Sequence, residues 1–282
     1  TGVPARLAHL GARSDVAIVR HDVREPYVDG SPYGFILHGA SIASPMVYRQ
    51  FPLETIDANV MGTRHMLDRA HADGSRFLLM STSEIYGDPD PACVPTPETY
   101  RGSVSCTGPR ACYDESKRLS ETLLAVYADR HGVAGNALRP FNFYGPGQRL
   151  DDQRIVPDLM SAVLKREPIV LFSDGRATRS FCYITDAIAG LMLVWLNGRR
   201  GEPYNIGNDE EISIGDLARL AADLARPALP VEFRVSPDAA YLTDNPQRRC
   251  PDITKARRDL GFAPLVPVRA GLARTLASYC AA

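Results

Sequence analysis

Tyr113 and Lys117 stand four residues apart in the run Tyr113-Asp114-Glu115-Ser116-Lys117, at the expected start of a helix. Side chains at i and i+4 share one helix face, so both can enter a single cleft. An ammonium beside a phenol favours the phenolate and lowers its pKa. Such a tyrosine can take a proton from a hydroxyl while a hydride leaves the same carbon. The chain has 12 tyrosines but only three lysines (Lys117, Lys165 and Lys255), so chance alone yields far fewer than one such pair. A chance neighbour pair on a helix face is nevertheless the plain alternative. Thr82 can hold the reacting oxygen, although hydroxyls at strand ends also simply turn the chain.

The elements that must position these residues alternate along the first half of the chain. Strands are expected at 16–19, 34–37, 76–80 and 135–138. Helices are expected at 53–72, where Ile56, Val60, Met66 and Leu67 recur at helical spacing, and at 111–131. Strand and helix in alternation make an α/β fold with a parallel sheet covered by helices on both faces. Ligands of such sheets bind beyond the carboxyl ends of the strands. The polar segments His38-Gly39-Ala40-Ser41, Ser81-Thr82-Ser83-Glu84 and Arg139-Pro140-Phe141-Asn142 follow three of those ends. After about residue 150 the rhythm loosens. Helices at 155–166, 187–196, 214–224, 254–260 and 268–280, strands at 169–172 and 231–235, and an ordered loop at 236–251 describe a smaller α/β lobe. Residues 1–150 and 151–282 are therefore expected as two domains, with some exchange of elements between them.

Composition narrows the function. The chain has 282 residues, 32 basic and 33 acidic, for a formal charge of -1, which offers no electrostatic footprint for nucleic acid or an anionic membrane. The longest apolar run, 187–196, is too short to span a bilayer. A secretory signal is not seen at the start. The six cysteines form no C-x-x-C pair and the six histidines do not cluster, so metal chemistry is not expected and a reducing, cytoplasmic setting is.

Longer motifs then carry a resemblance. Thr82-Ser83-Glu84-Ile85-Tyr86-Gly87, Tyr113-x-x-x-Lys117, Arg139-Pro140-Phe141-Asn142-x-Tyr144-Gly145-Pro146, Gly175-x-x-Thr178-Arg179-Ser180-Phe181-x-Tyr183-Ile184-x-Asp186, Asn59-Val60-x-Gly62-Thr63 and Tyr204-Asn205-Ile206-Gly207 occur in order. Together the chain resembles the extended short-chain dehydrogenase/reductases that modify nucleotide sugars. That resemblance implies a Rossmann-type doubly wound domain that binds NAD and a C-terminal lobe for a nucleoside diphosphate sugar. It also implies a homodimer built on helices 53–72 and 111–131.

Within that family, the 4,6-dehydratases carry an acid where this chain has Ser83, and the 4-epimerases generally lack Glu84. Thr82-Ser83-Glu84 is instead similar to the UDP-glucuronate decarboxylases. So are the run from Gly108 through Arg118 and the run Pro246-Gln247-x-Arg249-x-Pro251-Asp252-Ile253. The resemblance implies that Tyr113 takes the proton of the sugar 4-hydroxyl while C4 gives a hydride to NAD. The 4-keto acid then loses carbon dioxide, and reprotonation and return of the hydride give UDP-xylose.

The resemblance also assigns sites. Thr82, Ser83, Glu84, Tyr113, Lys117 and Arg249 are expected to be catalytic. Asp22, Val23, Leu37, Gly39, Ser41, Asn59 and Pro140, with Tyr113 and Lys117, are expected around NAD. Asn142, Arg149, Arg179 and Tyr183, with Glu84 and Arg249, are expected around the substrate. Two departures stand out. Ser105-Cys106-Thr107 replaces an Asn-Pro-aliphatic run, and no G-x-x-G-x-x-G occurs near the start. The first strand, phosphate-binding turn, first helix and second strand of the fold are therefore expected to be absent from this chain. Another nucleotide-sugar epimerase or dehydratase, and a non-catalytic sugar-nucleotide binder, are the alternative readings.

Overall fold

The computed structural model describes residues 5–11, 13–236, 243 and 245–280. Four parallel strands, β1 (Phe35–His38), β2 (Arg76–Met80), β3 (Gly135–Pro140) and β8 (Pro203–Ile206), form the main sheet in the order β1-β2-β3-β8. The first three are the expected strands to within two residues. The fourth comes from the second half of the chain, whose Tyr204-Asn205-Ile206 run extends beside β3.

Both faces of the sheet are covered, as a parallel sheet requires. Side chains alternate across the strands. Phe77, Leu79 and Ala137 therefore meet Leu67 and Ala70 of α2 (Pro52–Asp73) and Leu124 of α3 (Ala111–Arg130). Leu78, Leu138, Tyr204 and Ile206 point the other way. They pack on Val194 of α5 (Ile184–Asn197) and on Ala256 and Leu260 of α7 (Thr254–Leu260). Helix α2 follows the short α1 (Pro45–Tyr48), starts on Pro52 and stops at Gly74 in the left-handed conformation.

The smaller lobe is a mosaic. Its pieces are β4 (Phe143–Tyr144) with β7 (Cys182–Tyr183), β5 (Ile169–Leu171) with β10 (Val231–Phe233), and β6 (Thr178–Ser180) between β9 (Glu211–Ser213) and β11 (Arg248–Arg249). Helices α4 (Ile155–Lys165), α6 (Ile214–Ala222) and α8 (Val268–Cys280) enclose its core of Leu159, Met160, Leu217 and Leu272. Among the described residues no helix is long and apolar enough to cross a membrane.

Two expectations change. Residues 16–19 do not form a strand, and Ile18 and Val19 are exposed. A strand needs a neighbour for its N–H and C=O groups, and among the described residues β1 pairs only with β2. The loop expected at 236–251 contains β11, because Arg248 and Arg249 pair in parallel register with Thr178 and Arg179. Residues 237–242 and 244 of that loop lie outside the described residues.

Gly190 lets α5 sit close to β8. A Cβ there would fall 2.5 Å from Ile206 Cγ2 and 3.0 Å from a Phe262 ring carbon. Gly190→Val is therefore expected to lower stability by about 1–3 kcal/mol through overpacking. Urea denaturation measures this, and an unchanged midpoint would contradict so close an approach.

Candidate active site

Three strand ends meet in one cleft of about 500 Å³. Gly39 and Ser41 follow β1, Ser81 to Glu84 follow β2, and Pro140 and Asn142 close β3. After β2 the chain turns into a short 3-10 helix, Ser83–Tyr86, capped by the Thr82 hydroxyl, which accepts from Glu84 N at 3.1 Å. Gly87 ends it with φ 63°, and a Cβ there would lie 1.8 Å from the Ser103 carbonyl oxygen. Only glycine lets the loop that leads to α3 run so close to this turn.

Tyr113 and Lys117 enter the cleft from the first turns of α3, as their spacing requires. Tyr113 is stacked on Tyr48 of α1 with ring centroids 5.2 Å apart and planes 7° from parallel. The Thr82 hydroxyl reaches its phenol oxygen. The expected depression of the phenol's pKa is not what the geometry yields. Burial pushes Tyr113 up to about 12, only partly countered by the Thr82 hydrogen bond. Lys117 is turned elsewhere. Its Nζ donates to the Met80 carbonyl at 2.8 Å and lies 6.0 Å from the centre of the Tyr113 ring. Burial lowers the Lys117 ammonium to about 8. Behind the pair, Ser41 Oγ donates to Asn59 Oδ1 at 2.7 Å, and Asn59 Nδ2 donates to Ser116 Oγ at 2.8 Å. Asn59 is thus buried one layer below the cleft wall and touches it through Ser41.

Glu84 is the centre of charge. Arg249 Nη2 donates to its Oε2 at 2.7 Å, Arg249 Nη1 bonds its Oε1, and Arg110 also bonds its Oε2. Burial alone would raise this carboxyl, but Arg249 and Arg110 hold it down to about 2. Arg179 stands beside Arg249 because β6 and β11 pair in register. Its own burial, together with the Arg249 charge, lowers it to about 9. Glu84, with the Asp114 carboxylate 3.9 Å from Arg110, therefore faces three guanidiniums, all largely buried. Such an excess of positive charge in a poorly hydrated site calls for an anion.

Of the other expected residues, Leu37, Gly39, Ser41, Ser83, Pro140 and Asn142 line the cleft. The Asn142 amide donates to the Ser180 carbonyl at 2.8 Å. Asp22 lies outside it, exposed and paired with Arg24, while Val23 packs over Gly62 of α2. Arg149 is exposed and paired with Asp151. Tyr183 is buried edge-on to Tyr144 and acts there as packing. Arg110, Tyr48 and Arg154 also line the cleft, in addition to the residues expected there. Arg110 had a usable signal, since it lies three residues before Tyr113, within one helical turn. Tyr48 had none, because its place depends on where α1 lands.

Residues 4–207 match the model of the NAD dependent epimerase/dehydratase family. The chain is 40% identical over 279 residues to UDP-glucuronic acid decarboxylase 1 of Arabidopsis thaliana, covering 99% of this chain and 62% of that protein. It is 38% identical over 277 residues to UDP-glucuronic acid decarboxylase 1 of Xenopus tropicalis, covering 98% of this chain and 63% of that one. The chain thus spans less than two thirds of the length of these relatives. Among solved structures it is similar to DesIV, the dTDP-glucose 4,6-dehydratase of Streptomyces venezuelae, solved with NAD bound. The TM-score is 0.80 and the identity 26%, over 98% of this chain and 83% of that one.

His38 gives the site a pH signature. It is 3% exposed, its Nε2 has no hydrogen-bond partner in the structure, and burial lowers its imidazole to about 3. The unfolded chain therefore binds this proton first, at about pH 6.5, and stability is lost as pH falls from there toward about 3. Between about pH 6.5 and 5 the expected slope approaches 1.4 kcal/mol per pH unit. Chemical denaturation of the parent and of His38→Leu measures it, and an equal slope in both would contradict a neutral buried imidazole.

Proposed function

The chain belongs to the NAD-dependent epimerase/dehydratase family, and on that premise we propose that it converts UDP-glucuronate to UDP-xylose and carbon dioxide. The observation that carries this reading is Glu84 held ionised between Arg249 and Arg110, next to Thr82 and Tyr113. A carboxyl at about 2 cannot donate a proton to a leaving hydroxyl, and Ser83 offers no acid in its place, which disfavours a dehydratase. The surplus guanidinium charge instead suits a sugar that carries its own carboxylate beside a diphosphate.

The residues present fit the nicotinamide-ribose end of NAD. Lys117 uses one of its three N–H groups on Met80, and Gly39 leaves the opposite wall low. Leu37, Ser41 and Pro140 complete that wall. Bound there, NAD supplies a reversible hydride acceptor. Tyr113 holds the proton that leaves the sugar 4-hydroxyl and later returns it. With its phenol at about 12, ionisation relies on the Thr82 hydroxyl and the nearby Lys117 charge. In the 4-keto acid the C5–C6 bond breaks, and its electron pair passes to the ketone oxygen as carbon dioxide departs. Arg249 and Arg110 stabilise the negative charge near C5, with Glu84 and Ser83 holding them in place. Arg179 and Asn142 face the diphosphate side.

Residues 1–150 serve mainly the cofactor and 151–282 mainly the sugar nucleotide. A homodimer would cover Leu53 and Met61 of α2 and Leu119 and Val126 of α3, which are exposed. Six free thiols, two of them on exposed residues, suit a reducing cytoplasm.

Incubation with UDP-glucuronate and NAD is expected to release UDP-xylose and carbon dioxide in equal amounts, with no net NADH. Glu84→Gln is expected to slow release about a hundredfold or more. An epimerised UDP-sugar acid, a 4-keto-6-deoxy product, or binding without turnover would each replace this reading.

A further inference from the structure

Glu121 stands one turn beyond Lys117 on α3, so Tyr113, Lys117 and Glu121 form a single i, i+4, i+8 column. The carboxylate takes both arms of Arg139 from β3, with Nε donating to Oε1 at 2.9 Å and Nη2 to Oε2 at 2.6 Å. The Ser81 hydroxyl, next to Thr82, also donates to Glu121 Oε1. Arg139 Nη1 continues to the Tyr86 hydroxyl at 2.7 Å and to the Glu98 carbonyl at 3.0 Å. Tyr86 in turn donates to Asn205 Oδ1 of β8 at 2.8 Å. The side chains of Arg139 and Glu121 are only 9% and 15% exposed. Through Ser81 and Tyr86 this network touches both ends of the turn that carries Thr82 and Glu84, while Glu121 and Arg139 themselves lie outside the cleft lining.

We propose that Glu121, locked by Arg139, is a positioning residue for this site: it anchors the Ser81–Thr82 turn and supplies the negative charge that offsets the burial of the Lys117 ammonium.

The charged and titratable groups around that ammonium are Tyr113 and Glu121 from its own helix, His38 from β1 and, through its pairing with Glu121, Arg139 from β3; β2 offers the Met80 carbonyl. Tyr113 is neutral with its phenol near 12, and His38 is neutral near 3. Glu121 is therefore the group that favours the charged lysine against its burial. In a buried bidentate pair the guanidinium fork also fixes the orientation of the carboxylate. The inference rests on the reading of Tyr113 and Lys117 as a working pair, but its test does not depend on the substrate.

The chain has only three lysines, so a ¹⁵N titration of the side-chain Nζ resonances separates Lys117 from Lys165 and Lys255. In the parent, Lys117 is expected to lose its proton near pH 8. In Glu121→Gln its midpoint should fall by about half a unit or more while the other two lysines stay in place. Turnover of UDP-glucuronate should then decline at a correspondingly lower pH on the alkaline side, with KM little changed. Should Glu121→Gln fail to fold, Glu121→Asp keeps the charge but draws it back by one methylene, and a smaller shift in the same direction is expected. A folded variant whose Lys117 midpoint matches the parent, with only its melting temperature lowered, would overturn the proposal. If the parent turns over no UDP-glucuronate, the reading of the reaction fails while the lysine titration still decides the role of Glu121.

Discussion

The ion cluster around Glu84 is the constraint on which the rest of the site depends. A carboxylate and guanidiniums withdrawn from water incur a desolvation penalty that only close mutual geometry offsets. Satisfying it requires four separate pieces of chain to arrive together: the turn after β2, the residue that opens α3, and the neighbouring strands β6 and β11. Glu84 and Arg249 are 165 residues apart in sequence. Their union joins the main sheet to the smaller lobe and places the cleft where the two meet. Because the surplus charge is positive, the cleft is also electrostatically unfinished, and the same geometry that joins the lobes creates the demand for an anion.

Helix α3 is the second organiser. Arg110 at its N-terminal edge reaches Glu84, Tyr113 and Lys117 face the cleft, and Glu121 reaches below it to Arg139. Leu124 on the same helix belongs to the sheet core. One helix thus couples Tyr113 and Lys117 to the packing of β2 and β3, so the core also sets the geometry of the cleft. The Tyr48–Tyr113 stack and the Ser41–Asn59–Ser116 chain tie the same helix to α1 and α2.

Much of this was legible beforehand. Strand β2 falls at 76–80, as expected, because a dense apolar run bounded by polar turns leaves few alternatives, and the polar helix α7 falls at 254–260, as expected, with Pro251 ahead of it and Gly261 closing it. The failure at 16–19 is of another kind, since an apolar run reports a capacity for pairing but not the presence of a partner. Arg110, Tyr48 and Glu121 escaped for a third reason. Arg110 and Glu121 do keep helical spacing from Tyr113 and Lys117, but the partners that give them a role, like the neighbours of Tyr48, come from distant segments. Tyr183 shows the converse, a residue in a matching motif that the fold directs to packing.

Sequence by itself determined which side chains share a helix face and which polar segments follow strand ends, because both depend on local geometry with periods of 3.6 and 2 residues. It therefore brought Tyr113, Lys117 and Thr82 toward one crevice. Only the tertiary structure decided their protonation and partners: a phenol raised by burial, an ammonium turned to Met80, and a glutamate held ionised between arginines. Desolvation and charge pairing are properties of the whole packed environment, and that environment is assembled from residues far apart in the chain.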